Sequence, residues 1–260
     1  MRLDYCYHTH TYRCGHARGT DEEYVIHAIA LGIKRLGFSD HVILPEGVDG
    51  LGIRGRFDQL DDYLSSIKHL KEKYKDQIEI LVGFEAEYIP SVLDYYKSLL
   101  KDKIDYLILG QHLYMEDGIC HWHFNKDSGI EDVRRYVDCV IEGIKTGLFT
   151  YLCHPDLFMS SQDNWNKDLE VEGGRLLKAC EECNIPIEYN LCGTRRKTYD
   201  GYHRSYPNYE FFKLVKDYNL KLVIGMDAHS PDDFNQSELD KAEEFLKAVN
   251  LDFDRNYRIK

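Results

Sequence analysis

Nowhere do the 260 residues run through about 20 consecutive apolar positions, so no segment reads as a membrane-spanning helix. The opening Met1-Arg2-Leu3-Asp4-Tyr5 lacks the apolar core of a secretory signal, and a cytoplasmic protein with no membrane partner is expected. The eight cysteines are then expected as reduced thiols and not as a disulfide framework. No Pro-, Gly- or Ser-rich linker and no internal repeat breaks the chain, which favours one domain over residues 1–260. Positive charge is in short supply: 33 basic residues face 45 acidic ones, a net charge of −12. That balance argues against broad nucleic-acid binding, although a local basic loop stays open.

Short apolar runs alternate with amphipathic stretches, seven of each. The strands read as Leu3–His8, Ile33–Ser39, Ile78–Glu85, Tyr106–Gly110, Tyr151–Cys153, Ile185–Asn190 and Lys221–Gly225. Runs such as Ile78-Glu79-Ile80-Leu81-Val82 suit a parallel sheet buried on both faces. Helices are expected at about 21–31, 57–75, 91–101, 131–146, 168–183, 208–218 and 232–248. Thr20 and Glu23 have capping-box spacing, Gly32 is a stop signal, and Ser230-Pro231-Asp232-Asp233 reads as a helix start. The alternation means an α/β fold. A doubly wound sheet would carry a phosphate-binding glycine pattern after its first strand, and that pattern is missing.

What the chain does have is metal-ligand residue types where strands end. His8 and His10 share one face of the first strand, and Asp227 and His229 repeat the i, i+2 spacing at the last. His16, His41, Glu85, His112 and His154 each follow an apolar run. Active sites of parallel barrels are built at those ends, so the nine residues predict a multi-metal pocket in a closed barrel, where first and last strands are neighbours. Imidazole and carboxylate ligation suits Zn²⁺, Mn²⁺ or Fe without choosing among them.

The motifs His8-Thr9-His10-Thr11, Cys14-Gly15-His16, Gly37-Phe38-Ser39-Asp40-His41, Gly83-Phe84-Glu85, Gly110-Gln111-His112, His154-Pro155-Asp156-Leu157 and Gly225-Met226-Asp227-Ala228-His229 resemble, in order, those of the PHP (polymerase and histidinol phosphatase) superfamily, in its histidinol-phosphate phosphatase type. The resemblance implies a distorted (β/α)7 TIM-like barrel and three divalent ions (Zn, Mn or Fe). His8, His10, Glu85 and Asp227 would hold the first ion. Glu85, His112 and His154 would hold the second, and His16, His41 and His229 the third. Glu87 points the same way along its strand and competes for the bridging role, which the family motif gives to Glu85. The implied reaction is hydrolysis of a small phosphorylated substrate, L-histidinol phosphate in histidine biosynthesis, by a metal-bridging hydroxide, with Glu85 and Asp227 at the catalytic centre.

Outside the ligand set, Arg195 matches a family arginine that looks like a phosphate clamp, and Arg196 shares its basic loop. His203 is a candidate leaving-group acid and substrate contact. Arg54 and Arg56 are a weaker version of the same phosphate-binding idea, and Trp122 is either a pocket wall or a cap on the barrel mouth. No strand is expected at His121 and His123, His27 and His69 are expected to be structural or solvent-facing, and Cys180 and Cys183 to be ordinary thiols. Gln111, and the glycine-rich stretch between Leu44 and Arg56, depart from the family pattern. A PHP phosphoesterase for a sugar phosphate, nucleotide or phosphotyrosine, an amidohydrolase-type barrel, and a non-catalytic metal scaffold are the rival readings. Oligomeric state is not legible.

Overall fold

The computed structural model describes residues 1–48, 50–195 and 206–259. Four parallel strands, β1 (Tyr5–Cys6), β2 (Arg35–Phe38), β3 (Glu79–Ala86) and β4 (Tyr106–Leu109), pair in sequence order. Beyond β4 the ring continues through a single residue. Leu152 bridges Leu109 on one side and Ile187 on the other, so the expected strand over 151–153 is reduced to one bridge position. β7 (Ile187–Asn190) and β8 (Leu222–Gly225) are again parallel. A parallel bridge between Thr9 and Ala228 closes the ring, with the His10 amide donating to the Ala228 carbonyl at 2.9 Å. Seven parallel positions in sequence order make this the distorted (β/α)7 barrel. Its strands are buried along nearly their whole length, as a sheet covered on both faces requires.

Helices α1 (Asp21–Leu31), α2 (Leu60–Lys73), α3 (Leu93–Asp102), α4 (Ile130–Lys145) and α5 (Lys167–Glu182) fall where the apolar periodicity places them. The Thr20–Glu23 capping box forms at the head of α1, and Gly32 ends it in the left-handed conformation at φ 86°. After β7 a five-residue helix, α6 (Leu191–Arg195), stands where a loop was expected. α7 covers Tyr209–Val215. The last helix is shorter than the pattern suggests. Ser230 caps only a 3₁₀ turn at Pro231–Asp233, and α8 (Gln236–Ala248) begins afresh from an Asn235 cap.

Between β4 and α4 the chain adds an antiparallel hairpin, β5 (Leu113–Glu116) and β6 (Ile119–Trp122), which corrects the reading of that stretch as strandless. Its turn is Asp117-Gly118, both residues at positive φ (51° and 79°), the pairing that two-residue hairpins favour. Among the described residues, no helix is long and apolar enough to cross a membrane.

One apolar cluster runs from Leu3 to Tyr257. Within it lies a tyrosine layer. Tyr5 and Tyr7 stack at 5.1 Å, and Tyr106 and Tyr257 meet Tyr7 edge-on at 6.1 and 6.2 Å. Their hydroxyls are satisfied in place. Tyr5 donates to the Asp254 carbonyl (2.8 Å), Tyr7 to that of Tyr257 (3.0 Å), and Tyr106 to that of Tyr7 (2.8 Å).

Candidate metal centre

The barrel's strand ends bring all nine expected ligands to one place. Glu85, near the end of β3, is the hub. Its Oε1 lies 2.8 Å from His154 Nε2, 3.5 Å from His8 Nε2 and 3.6 Å from His112 Nε2; its Oε2 lies 3.1 Å from His41 Nδ1 and 3.5 Å from His10 Nε2. Asp227, just past β8, places Oδ1 3.1 Å from His10 Nε2, 3.6 Å from His8 Nε2 and 3.3 Å from His229 Nδ1. His229 in turn stacks on His10 at 4.0 Å between ring centres and on His16 at 4.8 Å. Ligand atoms converge in several sets within 4.8 Å of one another, including His8–His10–Asp227, His8–Glu85–His154 and His10–His41–His229.

The outward nitrogens explain the inward ones. His8 Nδ1 bonds Glu188 (2.8 Å), His10 Nδ1 bonds Asp40 (3.3 Å) and His112 Nδ1 bonds Glu87 (3.2 Å). His16 and His229 direct Nδ1 to the carbonyls of Cys14 and Asp227, both at 3.1 Å. A ring whose Nδ1–H is committed this way offers its Nε2 lone pair to the centre, the arrangement typical of metal-bound histidine. His8 Nε2, His10 Nε2 and Asp227 Oδ1 are buried yet meet no hydrogen-bond geometry. Leaving such atoms unpaired costs free energy unless something else binds them. Seven imidazoles and two carboxylates around such atoms fit divalent cations.

Electrostatics point the same way. Burial alone would raise the Glu85 and Asp227 carboxyls, but the surrounding histidines hold both well below the usual carboxylate range. Burial alone would lower His8 and His10, but Glu188, Asp227, Asp40 and Glu85 outweigh it and hold both rings well above the usual histidine value. His41 is pushed down to about 3 by burial and by its neighbours His10 and His112, and stays neutral.

Two of the nine stand at positive φ, His154 at 27° and Asp227 at 47°, backbone conformations that branched or bulky side chains seldom hold without support. The support is visible. The His154 amide donates to Glu188 Oε2 (3.1 Å), and Asn190 bridges Glu188 and Asp227 (2.8 and 3.1 Å). Two glycines make room for the carboxylates. A Cβ on Gly110 would collide with the Glu85 carboxylate, and one on Gly225 with that of Glu188.

Other expectations fare differently. Glu87 does not compete for the hub: Arg54 grips it with two bonds at 3.0 and 3.1 Å, the pair is buried, and the carboxyl is pushed down to about 2 despite its burial. Arg54 is therefore committed to Glu87, Arg56 pairs at the surface with Asp58, and neither lines the cavity over the cluster. Arg195 turns inward. Its Nη2 donates to the carbonyls of Met226 (2.8 Å) and Asp227 (3.0 Å), its Nε pairs with Asp233 (3.1 Å), and it does not line the central cavity. Arg196 and His203 lie outside the described residues. His123 is buried among Tyr114, Phe124 and Tyr136, and His121 stacks on Tyr114, away from the cluster. His69 is exposed and His27 half-buried. All eight cysteines are free, Cys180 and Cys183 among them. Gln111 is wholly internal, accepting from the Tyr88 amide (2.7 Å) and donating to the Leu113 carbonyl (2.7 Å).

Sequence reasoning missed Asp40, Glu188 and Asn190. Glu188 and Asn190 carried a signal, since each is a polar residue in an otherwise apolar central strand, where burial demands a partner.

The cavity over the cluster holds about 390 Å³. Its floor is formed by His10, His16, His41, Glu85, His112, His154, Asp227 and His229, and its walls include Ile53, Trp122, Leu157 and Tyr206. A closed parallel barrel with a buried histidine–carboxylate cluster at its strand ends defines a metal-dependent hydrolase class. The chain belongs to the PHP domain family, whose model matches residues 7–191. It is 34% identical over 254 residues to a protein of Schizosaccharomyces pombe named a probable histidinol-phosphatase, covering 86% of this chain and 80% of that one. It is 26% identical over 253 residues to the histidinol-phosphatase of Bacillus subtilis, covering 87% and 93%. The fold superposes with a TM-score of 0.74 on the histidinol phosphate phosphatase of Lactococcus lactis, solved with zinc, L-histidinol and phosphate, at 16% identity over 96% of this chain and 95% of that one.

Proposed function

We propose that the whole chain, residues 1–260, is a metal-dependent phosphomonoester hydrolase that converts L-histidinol phosphate and water to L-histidinol and phosphate. The observation that carries the chemistry is the set of buried atoms around Glu85 that make no hydrogen bond, His8 Nε2, His10 Nε2, His41 Nδ1 and Asp227 Oδ1. The histidinol-phosphatases among its relatives support the substrate. In this reading His8, His10, Glu85 and Asp227 hold one divalent ion, Glu85, His112 and His154 a second, and His16, His41 and His229 a third. When bound, such ions supply Lewis-acid charge for the phosphoryl oxygens and acidify water enough to act as nucleophile near neutral pH.

The chain's own groups do the rest. Asp227 and Glu85 stay ionised and bring negative charge to the cluster, while Glu188, Asp40 and Glu87 keep the rings of His8, His10 and His112 in orientation. Arg195 and Asn190 brace the strained Asp227 turn, a role that leaves the clamp expected of Arg195 to be tested by its own variant. Arg196 and His203 remain assigned to phosphate binding and to protonation of the departing alkoxide. Water attacks phosphorus in line, the ester P–O bond breaks, and the alcohol leaves with that proton; no covalent protein intermediate is required.

The test is phosphate release from L-histidinol phosphate beside p-nitrophenyl phosphate and a nucleoside monophosphate, with Mn²⁺, Zn²⁺ or Fe²⁺ supplied. A kcat/KM of at least about 10⁴ M⁻¹s⁻¹ for histidinol phosphate, far above the others, supports the reading. Hydrolysis of the generic ester alone keeps the phosphatase and removes the named substrate.

A further inference from the structure

The polar floor of the cavity accounts for a phosphate group but not for the walls. Trp122 stands out there. It is 45% exposed, yet it lines the cavity that holds the metal-type cluster. Its placement follows from the hairpin. Leu113, the residue after His112, pairs with Trp122, and the His123 amide donates to the His112 carbonyl at 3.0 Å. The indole is thus carried by a strand end tied on both sides to a member of the cluster. Side chains alternate along a strand, so Trp122 shares a face with buried Cys120, opposite His121 and the outward Ile119. Ile53, Leu157 and Tyr206 add to the apolar lining of the same cavity, and Tyr206 meets His154 edge-on at 6.3 Å.

We propose that Trp122 is a specificity-determining residue: its indole face receives the flat ring of a phosphate ester whose alcohol carries an imidazole or a similar unsaturated ring. This rests on the phosphatase reading of the cluster and adds to it the residue that selects the leaving group. An indole offers a large rigid apolar face and is the strongest side-chain platform for a cationic ring, and an imidazole is part-protonated near neutral pH. The wall selects through the ring alone and leaves the phosphate end to the floor.

The experiment compares histidinol phosphate and phenyl phosphate, which carry a ring, with β-glycerophosphate, which does not. Trp122→Ala should lower kcat/KM at least about tenfold for the ring-bearing esters, through KM, and change the aliphatic ester by less than about twofold. Trp122→Phe should restore most of the difference. The chain has two tryptophans, Trp122 and Trp165, so Trp165→Phe leaves Trp122 as the one tryptophan, whose emission, excited selectively over tyrosine, should shift as L-histidinol is titrated in. An equal loss on ring and aliphatic esters, or no loss on either, overturns the proposal. A wild-type enzyme that turns over phenyl phosphate but not histidinol phosphate would remove the named substrate while the phenyl–glycerol comparison still judges Trp122. A protein that hydrolyses none of the three would remove the phosphatase reading, and an unchanged emission on titration would then remove the ring wall as well.

Discussion

The barrel contains two clusters of polar rings, and their contrast separates packing from function. In the tyrosine layer, rings meet at 5.1 to 6.2 Å and the hydroxyls of Tyr5, Tyr7 and Tyr106 each end on a backbone carbonyl. In the histidine layer, rings meet as closely, yet His8 and His10 turn inward Nε2 atoms that make no hydrogen bond, although carboxylate oxygens of Glu85 and Asp227 lie 3.1 to 3.6 Å away. Tyr5, Tyr7 and Tyr106 are buried, and so are His8, His10, Glu85 and Asp227. A satisfied polar layer holds a fold together, while an unsatisfied one is tolerated where a ligand completes it.

The sharpest way to break the comparison is one variant in each layer. Glu85→Ala should reduce kcat/KM by at least about a thousandfold while the fold persists, because the loss falls on transition-state charge and not on packing. Tyr106→Phe should do the reverse. It leaves the Tyr7 carbonyl short of a donor and should cost about 1–3 kcal/mol in denaturant unfolding, with bound metal and kcat nearly unchanged. If Tyr106→Phe abolished activity in a fully folded protein, the two layers would not be separable.

A smaller effect tests the supporting carboxylates. Glu188→Gln keeps the shape of the side chain but weakens its hold on His8 Nδ1, and metal affinity should fall about 10–100-fold by competition with a chelator. An unchanged affinity would mean the Glu188–His8 bond is structural only.

The third effect is a pH dependence. His8 and His10, held above the usual histidine value by neighbouring carboxylates, carry protons in the metal-free protein that a metal must displace. Their contribution to metal-free stability is present below the unfolded histidine value and is lost as pH rises through the raised folded value. Glu85 and Asp227 behave oppositely: theirs is present above the unfolded carboxylate value and is lost as pH falls through the lowered folded one. Metal affinity should therefore fall steadily as pH is lowered from 8 to 6 in a calorimetric titration, with protons released on binding; a flat profile would contradict the ring protonation.

Much of this was legible in the chain because it depends on periodicity. Buried parallel strands leave continuous apolar runs, and residues at their C-terminal ends converge whatever the loops do, so His8, Glu85 and Asp227 declared themselves. What was hidden depends on particular partners. Arg54 looked like a phosphate ligand because nothing in the sequence ties it to Glu87, 33 residues away. Asp40 and Glu188 act through histidines distant in sequence. The hairpin was missed although Asp117-Gly118 advertised its turn, because β5 and β6 are short and their outer face carries Tyr114 and His121 in place of an apolar stripe. Pro231 signalled a helix start correctly in kind, but only a 3₁₀ turn follows before Asn235 begins α8.

The central claim is that the inward nitrogens and carboxylate oxygens are ligand positions. The most direct measurement strips the protein with a chelator, reloads it with Zn²⁺ or Mn²⁺, removes excess ion, and counts metal per chain by elemental analysis alongside the phosphatase rate. The account predicts more than two ions per chain, approaching three, with activity returning as they are restored and with a lower count in Glu85→Ala. Well under one ion per chain in folded protein would contradict it.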